Sequence, residues 1–116
     1  MALVSALAVG VGGAIGAVAR YAVSLAIERQ HLDTVAINIS GSFLIGVVLG
    51  SNLGGPAALA LSVGFCGAFT TFSSFAVETA RLAEDGHLAD AARYAIGTLL
   101  AALVAVLAGF AVGRAL

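Results

Sequence analysis

Gly64-Phe65-Cys66-Gly67-Ala68-Phe69-Thr70-Thr71-Phe72-Ser73-Ser74-Phe75 lies in the middle of an apolar segment long enough to cross a bilayer. Gly64 and Gly67 weaken a helix from within. Thr70, Thr71, Ser73 and Ser74 place four hydroxyls at a depth where lipid offers no hydrogen-bonding partner. A spanning helix of this composition is expected to break, and a broken spanning helix builds a site rather than an anchor.

Working outward, the rest of the chain has the composition of a membrane protein. Its 116 residues are 61% hydrophobic and 9% charged, with a mean hydropathy of +1.12 and no tryptophan, whereas soluble domains carry roughly 25% charged residues. Breaks in the apolar pattern mark four spans, at about 3–27, 34–53, 57–80 and 94–113, each near the roughly 20 residues a helix needs to cross. The expectation is one all-α, four-helix transmembrane domain over residues 1–116, with the third helix broken. Polar connections run from Glu28 to Asp33 and from Arg81 to Arg93, and Gly54-Gly55-Pro56 is a turn signal. The opening Met1-Ala2-Leu3-Val4-Ser5 has no basic stretch ahead of its apolar run and reads as part of a retained span. A net charge of -1 gives no sign of a nucleic-acid partner. With one cysteine, Cys66, and no Cys/His ligand spacing, thiol redox and side-chain metal chemistry are not expected, nor is a phosphate-binding glycine loop present. No catalytic residues are assigned, and the chain is not expected to be an enzyme.

Polar residues inside the spans are the candidate site. Gly12, Gly16 and Arg20 recur every four residues, as do Asn38, Ser42, Gly46 and Gly50, so each set shares a helix face. The glycines suit close helix packing. Arg20 has two open readings, a side chain snorkelling to the interface or a fixed positive charge in a vestibule that draws anions. The Asn38 amide can hold an anion, a water or a neighbouring helix. Tyr94 and Thr98 place two hydroxyls one turn apart on the fourth span. Phe65, Phe69, Phe72 and Phe75 approximate one helical stripe, which either packs or faces lipid, or turns electropositive ring edges toward an anion. Glu78 follows on that face; it marks the helix end or, beside an anion route, relays or gates.

Three blocks, Gly12 through Tyr21, Asn38 through Phe43 and Gly64 through Phe75, resemble in order and spacing the CrcB/Fluc fluoride channels. The pattern Gly-Phe-Cys-Gly followed after two residues by Thr-Thr-Phe-Ser is the most specific part, and the likeness covers nearly the whole chain. The resemblance implies a fluoride-selective channel exporting the ion passively across the cell membrane, built as an antiparallel dimer with two pathways along its interface. By position it implies that backbone carbonyls of Gly67 and Thr70 from both subunits hold a structural sodium ion on the two-fold axis. Phe72 and Phe75 then line the pores, Asn38 is the pore asparagine, Arg20 the vestibule arginine and Glu78 the acid near the pore. Ser42, Tyr94 and Thr98 continue the polar pathway, which Ala102 interrupts by lacking a hydroxyl. Fluoride is strongly hydrated, so a pore must replace its water with donors without trapping it; carbonyls freed by a helix break suit sodium.

Two rival readings come from other classes. A small multidrug-type transporter has similar length and span count, but that family resembles a chain with an acid inside the first helix, where this chain has Arg20. A structural membrane subunit accounts for the glycine faces and leaves Thr70-Thr71-Phe72-Ser73 without a purpose. Arg29, Arg81 and Arg93 fall on the side of the longer connections and Arg114 on the side of the termini, a three-to-one bias that gives a weak orientation preference. A homodimer of dual topology is the expectation, with a heterodimer formed with a paralogue as the alternative.

Overall fold

A computed structural model describes residues 2–29 and 31–116. Met1 and Gln30, on which the readings of the chain's opening and of the Glu28 to Asp33 connection fall in part, lie outside the described residues. Four spans are present, and their helices are α1 (Ala2–Ala26), α2 (Leu32–Gly50), α3 (residues 55–69), α4 (Phe72–Glu84) and α5 (Leu88–Ala115), with α3 and α4 forming the third span. The molecule is 51 Å in its long dimension, enough to cross the roughly 40–45 Å of a bilayer with its headgroup regions. Leucines, valines and isoleucines along α1 and α5 face outward, among them Leu7, Val11, Val18, Leu99, Leu103 and Leu107. Lipid is their solvent, and the chain is a multi-pass membrane protein.

With no apolar burial to drive helices together in lipid, glycines set where they meet. α2 and α5 form the main seam, in which Gly46 and Gly50 lie against Val106 and Phe110 while Gly109 and Gly113 lie against Phe43 and Val47. A β-carbon at any of these four would overlap a backbone carbonyl oxygen of the facing helix. α1 packs on α3 in the same way, Gly12 against Ala60, Gly16 against Phe65, and Gly64 against Val9 and Gly13. Only Gly12 and Gly16 are buried in α1, so its contact with the bundle is this one narrow face.

Local chemistry decides where the elements end. Pro56 stands in the first turn of α3, where its missing N–H costs nothing. α4 closes in a Schellman turn, with Gly86 at φ 83° and the His87 and Gly86 N–H groups bonded to the Leu82 and Ala83 carbonyls. α5 then starts at Leu88, well ahead of the Tyr94 expected from the charges, and the connection between Arg81 and Arg93 shrinks to residues 85–87. The charged residues ride on helical turns instead, Asp90 and Arg93 pairing at 3.1 Å one turn apart on the exposed start of α5. Charge here marks where the hydrocarbon ends, and the helix continues beyond it.

The third span carries two irregularities in succession. Ala60–Cys66 is wound as a π-helix, a form that inserts an extra residue per turn and recurs near functional sites. This rotation lets Gly64 meet α1 while Cys66 and Gly67 turn toward α2. The helix then stops, but not at its glycines. Gly67 stays helical, and the break falls at Thr70 and Thr71, both extended (ψ 159° and 112°). It also divides the phenylalanine stripe expected from spacing into two ring pairs, Phe65 with Phe69 at 5.3 Å and Phe72 with Phe75 at 5.9 Å. Phe69 is buried, whereas Phe72 is 79% exposed.

Candidate functional site: the helix break and its groove

A break inside a membrane leaves peptide groups without partners, and here side chains of α1 and α2 supply them. Asn38 Nδ2 donates to the Thr71 carbonyl at 2.9 Å while its Oδ1 accepts the Thr71 N–H at 2.8 Å. Thr70 turns both its N–H and its hydroxyl back to the Cys66 carbonyl, at 3.0 and 2.8 Å. Thr71 caps α4, its hydroxyl oxygen accepting the Ser74 N–H at 3.2 Å. Arg20 Nη1 donates to the Thr70 carbonyl at 3.4 Å. The two threonines thus spend their hydroxyls on the break itself. Because the Thr71 N–H is committed to Asn38, the Gly67 carbonyl lacks the donor a continuous helix would give it.

Beside the break lies an open groove of about 630 Å³ between α2, the third span and α5. Asn38, Ser42, Gly67, Thr70, Phe72, Phe75 and Thr98 all line it, and no acidic or basic side chain does. Asn38 keeps one amide hydrogen beyond the one given to Thr71. Among the described residues, the Ser42 and Thr98 hydroxyls have no hydrogen-bond partner in the chain, so the groove offers three unspent polar donors. Ala102 lines the same wall beyond Thr98 and ends the hydroxyl series.

Three of the residues singled out from sequence are not in the groove wall. Arg20 approaches the break from the α1 side and meets the Thr70 carbonyl. Tyr94 stands at the end of the groove, its ring stacked on Phe75 at 5.4 Å and its hydroxyl donated to Glu78 Oε2 at 2.6 Å. Its phenol is therefore not a free donor. Glu78 sits between the groove and a second, charged cavity, and its carboxylate also accepts from Thr34 Oγ1 at 2.7 Å and pairs with His31 Nδ1 at 2.8 Å. Thr34 and His31 were not foreseen. Thr34 is legible after the fact, since 34, 38 and 42 continue one helix face by steps of four. His31 gives no periodic signal; it precedes α2 in the left-handed region at φ 72°.

A family profile described as "CrcB-like protein, Camphor Resistance (CrcB)" matches residues 7–110, from α1 through most of α5. The chain belongs to the CrcB family. It is 63% identical over 116 residues, the whole of both chains, to a protein of Natronomonas pharaonis named fluoride-specific ion channel FluC 2. It is 49% identical over 108 residues, 91% of each chain, to a FluC 2 of Haloarcula marismortui, and 40% identical over 118 residues to a FluC of Nitrobacter winogradskyi, covering 93% and 94% of the two. The whole CrcB architecture seen here, break and groove included, lies within the aligned length of the Natronomonas protein.

Proposed function

We propose that this protein is a fluoride-selective channel that lets the ion leave down its own gradient, and that it performs no catalysis. The observation that carries the reading is the groove. It has three unspent donors from Asn38, Ser42 and Thr98, the rings of Phe72 and Phe75 in its wall, and no formal charge to trap an anion. Fluoride surrenders hydration to hydroxyl and amide donors one at a time, and weak aromatic contacts between them keep any single stop shallow. The names of its CrcB relatives agree with this chemistry.

A groove open on one side is half a pore. Phe72, Ile96 and Leu99 along it are exposed in the single chain, and a second copy laid antiparallel would close it, giving the homodimer we infer. A structural sodium ion fits the same geometry. No group of three or more His, Cys, Asp or Glu is placed to hold a metal among the described residues, and the oxygen ligands we infer are backbone carbonyls. The Gly67 carbonyl, freed by the turn of Thr71 toward Asn38, and the Thr70 carbonyl beside it are the donors that would hold it. The bound ion would supply a fixed positive charge and a tie between subunits. One chain offers only part of a coordination shell, which makes a shared site on a dimer axis the consistent arrangement.

Fluoride efflux from liposomes containing the purified protein, with chloride in parallel, tests the reading. Fluoride efflux without chloride efflux is expected. Equal passage of both would overturn the selectivity, and passage of neither from a properly assembled protein would return the chain to the structural-subunit reading. The multidrug-type alternative has no support in the structure, since the charge in α1 is Arg20 and it is bound to the helix break.

A further inference from the structure

The charged cavity next to the groove has a composition the groove does not explain. It encloses about 630 Å³ and is lined from the α1–α2 connection by Glu28, Arg29 and His31, from the start of α2 by Asp33, and from α4 by Glu78 and Arg81. Asp85 and His87, from the turn before α5, complete its charged and titratable lining. Four carboxylates against two guanidiniums make its formal charge -2 when both histidines are neutral, and 0 when both are protonated. Glu78 lines this cavity and not the groove, and it is tied to the groove wall through Tyr94, which bonds its carboxylate and stacks on Phe75. Histidine is the side chain whose charge changes between about pH 5 and 8. An anion reaching the groove by this end must pass a field that two protons can cancel.

We propose that His31 is a positioning residue for Glu78, and that with His87 it makes the passage of fluoride through this cavity proton-dependent. The proposal rests on the fluoride reading above. His31 Nδ1 lies 2.8 Å from Glu78 Oε2, and its ring is tilted against Tyr94 at 5.4 Å, so one imidazole holds both groups at the junction of cavity and groove. Neutral His31 leaves the Glu78 carboxylate hydrogen-bonded yet uncompensated in charge, and an approaching anion is repelled. Protonated His31 pairs with Glu78, the local charge is neutralised, and the anion passes. His87 contributes the second charge at the cavity rim without touching Glu78. Tyr94 faces the same carboxylate from α5 and Thr34 from α2, both as donors that hold it in place without changing its charge.

His31→Asn is the sharp variant. Asparagine tolerates the left-handed backbone at φ 72° and its amide nitrogen falls where Nδ1 was, but it cannot take a proton. In liposome efflux, with empty vesicles subtracted at each pH, wild-type fluoride flux is expected to rise roughly tenfold from about pH 8.5 to about pH 6, the low end of what local charge does to ion capture. His31→Asn should flatten most of that rise with the assembly unchanged, His87→Gln should remove a smaller part, and Glu78→Gln should give high flux at both ends. A wild-type profile that is flat, or a His31→Asn profile that matches it when sloped, overturns the proposal while leaving the fluoride reading intact. No fluoride flux from any of these proteins, assembled normally, instead sinks the fluoride reading. The ring resonances of His31, followed by NMR against pH, decide the contact without any transport. Replacing Glu78 by Gln should change those resonances, and unchanged resonances overturn the contact whether or not fluoride moves.

Discussion

Asn38 holds Thr71 by both of its peptide groups, donating to the carbonyl at 2.9 Å and accepting from the N–H at 2.8 Å. The same two bonds replace what the helix gives up at its break and release the Gly67 carbonyl. One side chain thus joins the fold of the third span to the groove it borders. Asn38→Asp keeps the acceptor and loses the donor, and sets a carboxylate against the Thr71 carbonyl. Leaving that carbonyl unpaired costs about 1–3 kcal/mol, and the new charge borders the groove proposed as the anion path. Thermal stability in detergent should drop and fluoride efflux should vanish at neutral pH. Efflux at the wild-type level would remove Asn38 from the path.

Phe72 and Phe75 differ in what they do for the single subunit. Phe75 stacks on Tyr94 at 5.4 Å, whereas Phe72 is 79% exposed. Isoleucine at either position keeps apolar bulk and removes the ring edge, so both variants should lose fluoride efflux. Phe75→Ile should also lose its contacts with both Tyr94 and Phe72, about 0.5–1.5 kcal/mol each, while Phe72→Ile loses only its exposed pairing with Phe75 and should destabilise the subunit less. Size-exclusion elution beside the efflux assay separates the two effects. Normal transport in both variants would leave these rings as packing residues.

The glycine seams make a prediction about folding alone. A β-carbon at Gly109 would overlap the Phe43 carbonyl, and at Gly46 that of Val106, while at Gly97 and Gly10 it would meet nothing within 4 Å. Gly109→Ala and Gly46→Ala should therefore force α2 and α5 apart at a cost of roughly 1–3 kcal/mol each, with loss of folded protein on expression. Gly97→Ala and Gly10→Ala should be neutral. Thermal melts of the four variants check it, and equal melting temperatures would show that the seam can widen freely.

The sequence carried the number of spans, the existence of a break in the third and the glycine faces, because each is written in a period or a composition that lipid enforces. The place of the break was less legible. Gly64 and Gly67 draw attention as helix weakeners, yet Gly67 is helical and the chain turns at Thr70 and Thr71, since Asn38, far away in sequence, is what satisfies the Thr71 peptide. Helix ends were misplaced for a related reason. Charge reports depth in the bilayer, and α5 runs past the apolar stretch to Leu88. Tyr94 reads as a groove hydroxyl from its step of four to Thr98, but its phenol is drawn away by Glu78. His31 was invisible, because its part depends on a left-handed backbone that aims the ring across to α4.

The sharpest test of a shared sodium site is at Gly67 and Thr70. Thr70→Ser retains the hydroxyl that bonds the Cys66 carbonyl at 2.8 Å and leaves its own carbonyl in place, removing only a methyl that packs on Gly41. It should keep the dimer, the ion and fluoride efflux, with a stability change of about 1 kcal/mol at most. Gly67→Val is the opposite case. Within one subunit a β-carbon at Gly67 meets nothing within 4 Å, so Gly67→Ala serves as the control that the subunit tolerates, and the larger bulk of valine is aimed at a second copy. The branched side chain should hold the two breaks apart and empty the site between their carbonyls. Dimer stability in detergent, measured in sodium and in a large organic cation, should fall on exchange for wild type and Thr70→Ser. Gly67→Val should elute as monomer in both. A wild-type dimer indifferent to the cation, together with a dimeric and active Gly67→Val protein, would mean that this face neither binds sodium nor meets a second subunit.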